Sequence, residues 1–466
     1  MLNAATHIRR ELLIRLVRAF DSGRLRDELD RIPIKLRPRT GGSSRCCVYH
    51  DRAVLKYRLM ALLGICAEDE TDEAKTLGEY LEDRLYGLVT GKKGRAVPLS
   101  VCGPACSGCP DSKIVSTPNC RGCFARPCTY ACPKGAVSVV DGHSVIDQSK
   151  CIKCGKCITA CPYHAIIRTT VPCEEACPVK AISKNAQGVA EIDFERCIFC
   201  GKCFNACPFS AVMERSQILD VLLAMKRGGK IVAMVAPSAE KQFPGKIEQL
   251  FAACIKAGFS DVVEVALGAE MTTEHETAEF LERMQKDPKT FMTTSCCPAW
   301  VNLARKHMPE LMKNVSTTPS PMVFAKEIVK KRDPSAKTVF IGPCIAKRNE
   351  ALRKDVDYVL SFEELGALLA GRDIDVIAQE PLKLERPANP TARNYAVSCG
   401  VTEAVLGEAA GKIPGFKLNS QQINGIDRKT CAMLKVHASG RTGVNFLEVM
   451  ACQGGCVNGP CSLTTK

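Results

Sequence analysis

Residues 151–162 read CIKCGKCITACP and residues 197–208 read CIFCGKCFNACP, two copies of one pattern in a chain of 466 residues with 29 cysteines. The spacing has a mechanical reason. Three thiolates on one tight turn wrap a corner of a four-iron cube, and the fourth cysteine, on the helix that follows, points to a neighbouring cube. A zinc ribbon needs paired CxxC units and has no use for the cysteine before each proline. Related units stand nearby, CRGCFARPCTYACP at 120–133 and CEEACP at 173–178, so residues from about 96 to 212 form an internal repeat carrying 17 cysteines. Short β-like runs such as AVSVVDGHSVI separate the copies.

The exchange of fourth ligands between neighbouring copies predicts the cubes. Cys120, Cys123 and Cys128 close with Cys161, and Cys151, Cys154 and Cys157 close with Cys132. Cys197, Cys200 and Cys203 close with Cys177. A fourth cube is incomplete in its own repeat, because Ile167 and Thr170 stand where its first two ligands belong, before Cys173. VCGPACSGCP upstream offers Cys102, Cys106 and Cys109. With Cys173 and Cys207 these make five candidates for four places, and the spacing does not choose among them. Several cubes in line make an electron wire to a buried site. No GxGxxG or GxxxxGK[ST] loop is present, so nucleotide, flavin and nicotinamide sites are unsupported.

Composition bounds the rest. Thiols in this number, two residues apart, fit metal ligation in a reducing compartment rather than a secreted disulfide scaffold, and cytoplasmic residence is expected. No run of eighteen apolar residues occurs, so no membrane span is expected. Arg9 and Arg10 resemble a twin-arginine signal, but Glu11, Arg15 and Arg18 charge the stretch that export requires to be apolar, and ELLIRLVRAF reads as an amphipathic helix ending near Ser22 and Gly23. The formal charge of +14 counts cysteine as neutral; thiolate-bound clusters offset much of it, and nucleic acid is not an expected partner.

Residues 1–95 read as mainly helical, with Leu77, Tyr80, Leu81, Leu85 and Leu88 at helical spacing. Cys46, Cys47 and His50 in RCCVYHDR are read as packing residues rather than a metal site. From 213 to 466 strands and helices alternate: KIVAMVAPS and KTVFIGPC read as buried strands, ETAEFLERM and SFEELGALLAG as helices, giving an α/β domain.

That last domain carries five more thiols in motifs: Cys296 and Cys297 in TTSCCPAW, Cys344 in GPCIAK, and Cys452 and Cys456 in MACQGGC. Four suffice for one cube, and the fifth is free to carry protons. TTSCCPAW, GPCIAKRNE and EVMACQGGCVNGP resemble the three signature motifs of the [FeFe]-hydrogenases, and the resemblance covers about 96 to 466, ferredoxin-like front end included. Gly342, Ala299, Met322 and the NGPCSL tail depart from the better-known branch and resemble the branch called group B.

The resemblance implies an H-cluster: a [4Fe-4S] cube on Cys297, Cys344, Cys452 and Cys456, with Cys456 bridging to a di-iron subcluster that bears CO, cyanide and a dithiolate. It implies Lys347 and Ser238 as donors to the cyanides, Met450 as an apolar wall, and Cys296 as the proton shuttle. Glu276, Glu279 and Ser316 match the family's relay to solvent, with Glu350 a further candidate. A competing reading makes Thr273 and Glu276 a capping box at the start of a helix. The implied function is reversible H2 oxidation and proton reduction, with electrons exchanged with ferredoxin or a similar carrier and the subcluster installed by maturation proteins. The alternatives are an iron-sulfur assembly protein lacking the di-iron unit, or a hydrogen sensor, for which no kinase-like or PAS-like extension is evident.

Overall fold

The computed structural model describes residues 3–42, 46–90, 97–106, 108–287, 291–413, 415–416, 418–438 and 442–464. The expected boundary at 95/96 lies outside them. Among the described residues no helix is long and apolar enough to cross a membrane.

Helix α1 (Ala4–Asp21) starts where the Asn3 side chain accepts the Thr6 amide at 2.9 Å, and ends at Ser22. It buries Leu12, Leu13, Leu16 and Val17. With α2 (Val48–Leu62) and α3 (Leu77–Thr90) it shares one hydrophobic core with the C-terminal domain, so among the described residues the helical N-terminal region has no core of its own. Arg9 and Arg10 both pair with the buried carboxylate of Glu363, at 2.5 and 3.2 Å, and Arg9 also stacks on Phe204. Cys47 caps α2, its sulfur accepting the His50 amide at 3.5 Å, and His50 Nε2 meets the Pro104 carbonyl. The packing reading of RCCVYHDR fits these contacts.

The cysteine-rich region contains two ferredoxin-like modules, one inside the other. β1 (Leu99–Val101) pairs antiparallel with β8 (Val212–Glu214), and a second antiparallel pair lies between them in sequence: β2 (Lys113–Ser116) with β5 (Ile166–Thr169). The inserted module, β2 with β5, carries the hairpin β3 (Val137–Val140) with β4 (His143–Ile146) and is called outer because its core is separate from that of the C-terminal domain. The interrupted module, β1 with β8, carries β6 (Ile182–Lys184) with β7 (Ala190–Ile192) and is called inner. Four short helices carry thiols: α4 (Pro127–Tyr130), α5 (Lys156–Ala160), α6 (Pro172–Ala176) and α7 (Lys202–Ala206). The outer module has a small core of its own around Ile114, Val137, Ile146 and Ile166. The inner one packs into the C-terminal domain with Trp300, Leu303 and Leu447. The expected boundary between 212 and 213 therefore falls inside a paired strand, β8.

The C-terminal domain is α/β, as expected, with two parallel sheets. One has the order β10 (Asp261–Glu264), β9 (Ile231–Val235), β12 (Lys337–Ile341), β13 (Tyr358–Leu360). The other has β11 (Met292–Thr293), β15 (Phe446–Met450), β14 (Ser420–Asn424). The first sheet's central strands are buried except for Lys337 at the start of β12, the pattern of parallel strands covered on both faces. α8 (Val265–Lys286) crosses α10 (Pro321–Arg332) at Gly268, where a Cβ would stand 2.1 Å from the Pro321 carbonyl oxygen. The remaining helices used below are α9 (Pro298–His307), α11 (Ile345–Lys354) and α12 (Phe362–Gly371), the last opened by a capping box between Ser361 and Glu364.

Thr273 lies in the middle of α8, its hydroxyl bonded to the Ala269 carbonyl at 2.9 Å. The capping-box reading of Thr273 and Glu276 is thus wrong: the helix begins at Val265, because the apolar run VALGA continues the periodicity upstream of the polar segment.

Candidate active site

The motif thiols follow the C-terminal ends of parallel strands, where α/β folds place their sites. Cys296 and Cys297 follow β11, Cys344 follows β12, and Cys452 and Cys456 lie on the turn after β15. Gly454 and Gly455 make that turn with φ of +80° and +95°, values open to glycine without strain. Cys297 and Cys344 also precede the N-termini of α9 and α11, whose amide dipoles favour thiolate over thiol.

The thiols face an apolar cavity lined by Cys296, Cys297, Cys344, Cys452 and Cys456 together with Ser238, Lys347 and Met450. Burial pushes Cys344 up to about 11, Cys456 to about 12, and Cys452 well above the usual thiol range. Bare thiols here stay protonated, so thiolates at these positions require a metal as partner. Among the described residues no three ligand-type side chains converge on a single-ion site; the motif thiols line a shared space instead, the wider arrangement a four-iron cube needs.

Two of the polar groups expected at the site, Ser238 and Lys347, line the cavity. Ser238, at the end of β9, holds its hydroxyl in the interior with no hydrogen-bond partner. Lys347 donates to Ser320 Oγ at 2.9 Å and Glu350 Oε2 at 2.6 Å. Burial lowers its proton affinity, but Glu350 outweighs that and keeps it charged.

A chain of titratable groups leads outward from Cys296. Burial, then the neighbouring Glu276, raises the Cys296 thiol far above its usual range. Glu276 is fully buried and pushed up to about 8 by desolvation. Its Oε1 accepts the Ser295 amide at 3.2 Å, while Oε2 has no partner. Ser316 lies next to Glu276 and donates to Glu279 Oε2 at 2.7 Å, and Glu279 accepts from Arg283 at 2.5 Å with a side chain 16% exposed.

Tyr395, which sequence reasoning did not single out, also lines the cavity. Its hydroxyl hydrogen-bonds with that of Thr273 at 3.1 Å, and Glu276 and Cys296 are among the groups that raise it. No motif marks it; it arrives on a segment about 100 residues from either partner in sequence. Phe340 is a second unforeseen wall, since its ring fills the space that a side chain at Gly342 would take. Cys461 does not line the cavity; it donates to Glu214 at 3.3 Å, behind the Cys344 loop.

Cys132, Cys151, Cys154 and Cys157 line one small cavity of the outer module, and Cys120, Cys128 and Cys161 belong to the same module. Cys177, Cys197, Cys200 and Cys203 lie within electrostatic reach of one another, and so do the five remaining candidates as a group. Cys200 also borders the active-site cavity. Gly201 packs so closely on Pro460 that a Cβ would lie 2.6 Å away.

A family profile described as "Iron only hydrogenase large subunit, C-terminal domain" matches residues 229–460, and profiles for a 4Fe-4S binding domain and the LdpA Fe-S cluster-binding domain match 144–167 and 167–218. Iron hydrogenase 1 of Clostridium pasteurianum is 29% identical over 401 residues, 70% of this chain and 66% of the relative. The periplasmic [Fe] hydrogenase large subunit of Nitratidesulfovibrio vulgaris is 30% identical over 373 residues, 67% of this chain and 85% of the relative. Cytosolic iron-sulfur assembly component 3 of Bos taurus is 26% identical over 44% of this chain and 54% of the relative. A solved [FeFe]-hydrogenase aligns with 53% of this chain and 85% of its own at 21% identity and a TM-score of 0.46.

Proposed function

The chain belongs to the iron-only hydrogenase family, and from that premise we propose that it interconverts H2 with protons and electrons at an H-cluster. The observation that carries this reading is the fifth thiol: Cys296 faces the cavity beside four thiols that suffice for a cube, with the buried Glu276 behind it. A protein that only holds a cube has no use for it.

The residues present fit the group. Cys297, Cys344, Cys452 and Cys456 supply four thiolates, Ser238 an orphaned hydroxyl, Lys347 a charged donor, and Met450 an apolar wall. Bound there, the H-cluster supplies metal-centred two-electron chemistry. The chain's own residues exclude water, hold the thiolates, and move protons. Cys296 exchanges a proton at Sγ, Glu276 holds one near neutrality, and Ser316 and Glu279 pass it to the surface. Gly342, Ala299 and Met322 support a group B-like branch.

Electrons reach the site through the accessory cubes, of which the one on Cys177, Cys197, Cys200 and Cys203 stands next to the cavity. Exposed Phe124, Tyr130, Ile152 and Tyr163 surround the outer module's thiols and suit docking of ferredoxin or a similar small carrier. Maturation proteins install the di-iron unit. Thiol ligation on this scale fits a reducing compartment, which supports cytoplasmic residence, although the Nitratidesulfovibrio vulgaris relative is periplasmic.

The assembly-protein relatives favour a second reading, iron-sulfur assembly without the di-iron unit. Infrared bands of CO and cyanide after co-expression with maturation proteins, together with H2 evolution from a reduced dye, test the proposal. An absence of both in protein with a full complement of cubes would favour assembly. Bands with turnover too slow for metabolism would favour a sensor. Cys296→Ala keeps the cluster and loses turnover; Cys297→Ala loses the cluster.

A further inference from the structure

The nesting of the two modules decides among the five thiols that sequence spacing left open. In the outer module the order is β2, Cys120 and Cys123, α4 with Cys128 and then Cys132, the β3–β4 hairpin, Cys151 and Cys154, α5 with Cys157 and then Cys161, and β5. The inner module repeats this order with one break. After β1 come Cys106 and Cys109, then the whole outer module intervenes, and α6 with Cys173 and Cys177 resumes the series.

Matching hydrogen bonds fix the correspondence. Cys128, Cys157, Cys173 and Cys203 each occupy the second position of their short helix. Cys132, Cys161, Cys177 and Cys207 follow four residues later, and each sulfur accepts the amide four residues on, at 3.2, 3.4, 3.2 and 3.3 Å. Cys173 and Cys207 thus sit in ligand positions. The hairpins also align, since Ile146 pairs with Val137 as Ile192 pairs with Ile182. Two residues before these isoleucines, the Ser144 amide donates to Cys120 at 3.3 Å and the Ala190 amide donates to Cys106 at 3.1 Å. Cys106 therefore corresponds to Cys120, and Cys109, three residues on, to Cys123. Cys102 has no counterpart.

We infer that Cys106, Cys109, Cys173 and Cys207 hold a fourth accessory [4Fe-4S] cube, whose ligand motif is split by insertion of the outer module between Cys109 and Cys173, and that Cys102 is a spare thiol. The inference rests on reading the thiol repeats as cube ligands. An independent feature points to an anion at this place. Arg58, on α2, donates to the Phe209 carbonyl at 3.0 Å, two residues after Cys207, while its Nε is buried without a partner. The titratable groups facing it are the thiols of Cys102 and Cys207 and the guanidiniums of Arg9 and Arg37. Arg9 and Arg37 have carboxylate partners, Glu363 and Asp51; a thiolate-ligated cube, negative overall, would give the Arg58 guanidinium its counter-charge.

The test uses the full chain produced without maturation proteins, so that H2 chemistry plays no part. Iron and acid-labile sulfide are counted, and the dithionite-reduced protein is examined by electron paramagnetic resonance. The unsubstituted chain should hold five cubes, about twenty iron atoms. Cys106→Ala, Cys109→Ala and Cys173→Ala should each lose about four irons and the same reduced-cluster signal, whereas Cys102→Ala should lose neither. A count of about sixteen irons in the unsubstituted chain overturns the fourth cube. Loss of the signal in Cys102→Ala with its retention in Cys173→Ala overturns the ligand set. Failure of the hydrogenase reading would leave all of these counts unchanged.

Discussion

Ser316 donates its hydroxyl to Glu279 Oε2 at 2.7 Å while lying next to the buried carboxyl of Glu276. One rotating hydroxyl thus stands between two carboxyls of opposite character. Burial holds Glu276 protonated to about 8. Burial also acts upward on Glu279, but bonds from Ser316 and Thr317 and the Arg283 charge outweigh it and keep Glu279 ionised. Ser316→Ala removes the bridge and leaves each carboxyl in place. Turnover should fall by about a hundredfold or more, in the range of lost general acid-base steps, while the iron count and infrared bands stay unchanged. Turnover within twofold of the unsubstituted enzyme would remove Ser316 from the relay.

Glu276 also couples pH to stability. Its folded value of about 8 lies above the ordinary 4.5, so the unfolded chain releases this proton first as pH rises. The associated stability is fully present below about 4.5 and is lost progressively up to about 8, by on the order of a few kcal/mol. Melting of the chain without its di-iron unit should shift downward from pH 5 to pH 8. Glu276→Gln, which cannot ionise, should flatten that shift. An equal shift in the variant would assign the pH dependence to other groups.

Ser238 and Lys347 both face the cavity, yet they differ in what the polypeptide itself asks of them. The Ser238 hydroxyl has no protein partner, so Ser238→Ala should leave the melting temperature of chain lacking the di-iron unit unchanged and shift the cyanide bands in loaded protein. Lys347→Met leaves the buried Glu350 without its ammonium partner and should cost about 3 kcal/mol even before loading. A matching Glu350→Gln change should recover part of that loss. Equal destabilisation by both single variants would mean that Ser238 has a structural role.

Much of this arrangement was legible in local sequence, because three ligands of each of the first three accessory cubes share one short stretch, as Cys151, Cys154 and Cys157 do, and the strands beside the active site are short apolar runs. KIVAMVAPS and KTVFIGPC read as strands because nothing polar interrupts them, and both end at site residues. What was not legible depends on chain reversals that spacing does not encode. The nesting of the modules appears only once β1 pairs with β8, which is why five thiols stayed undivided. Arg9 and Arg10 gave no sign of their shared partner, Glu363, more than 350 residues away. The capping box failed because Thr273-x-x-Glu276 satisfies the local pattern while the helix is already running, and tertiary packing of Val265 to Ala269 decides where it starts.

The surroundings of Gly342 say why glycine is needed there. A Cβ there would lie 2.7 Å from Phe340 Cε1 and 2.8 Å from Cζ, closer than nonbonded carbons approach. Phe340, from β12, supplies the cavity wall in place of a side chain at 342. The two positions therefore share one volume, and their substitutions should be coupled. Gly342→Met alone forces the ring to move and should cost about 1–3 kcal/mol by overpacking. Phe340→Ala alone opens a cavity at a cost of about 3–5 kcal/mol. Combined, the methionine can fill the space the ring vacates, and the double variant should be more stable than the sum of the single effects by at least about 1 kcal/mol. Denaturant unfolding of the four proteins measures that term. Strict additivity would mean that the ring and the 342 side chain do not compete, and that glycine at 342 has another cause.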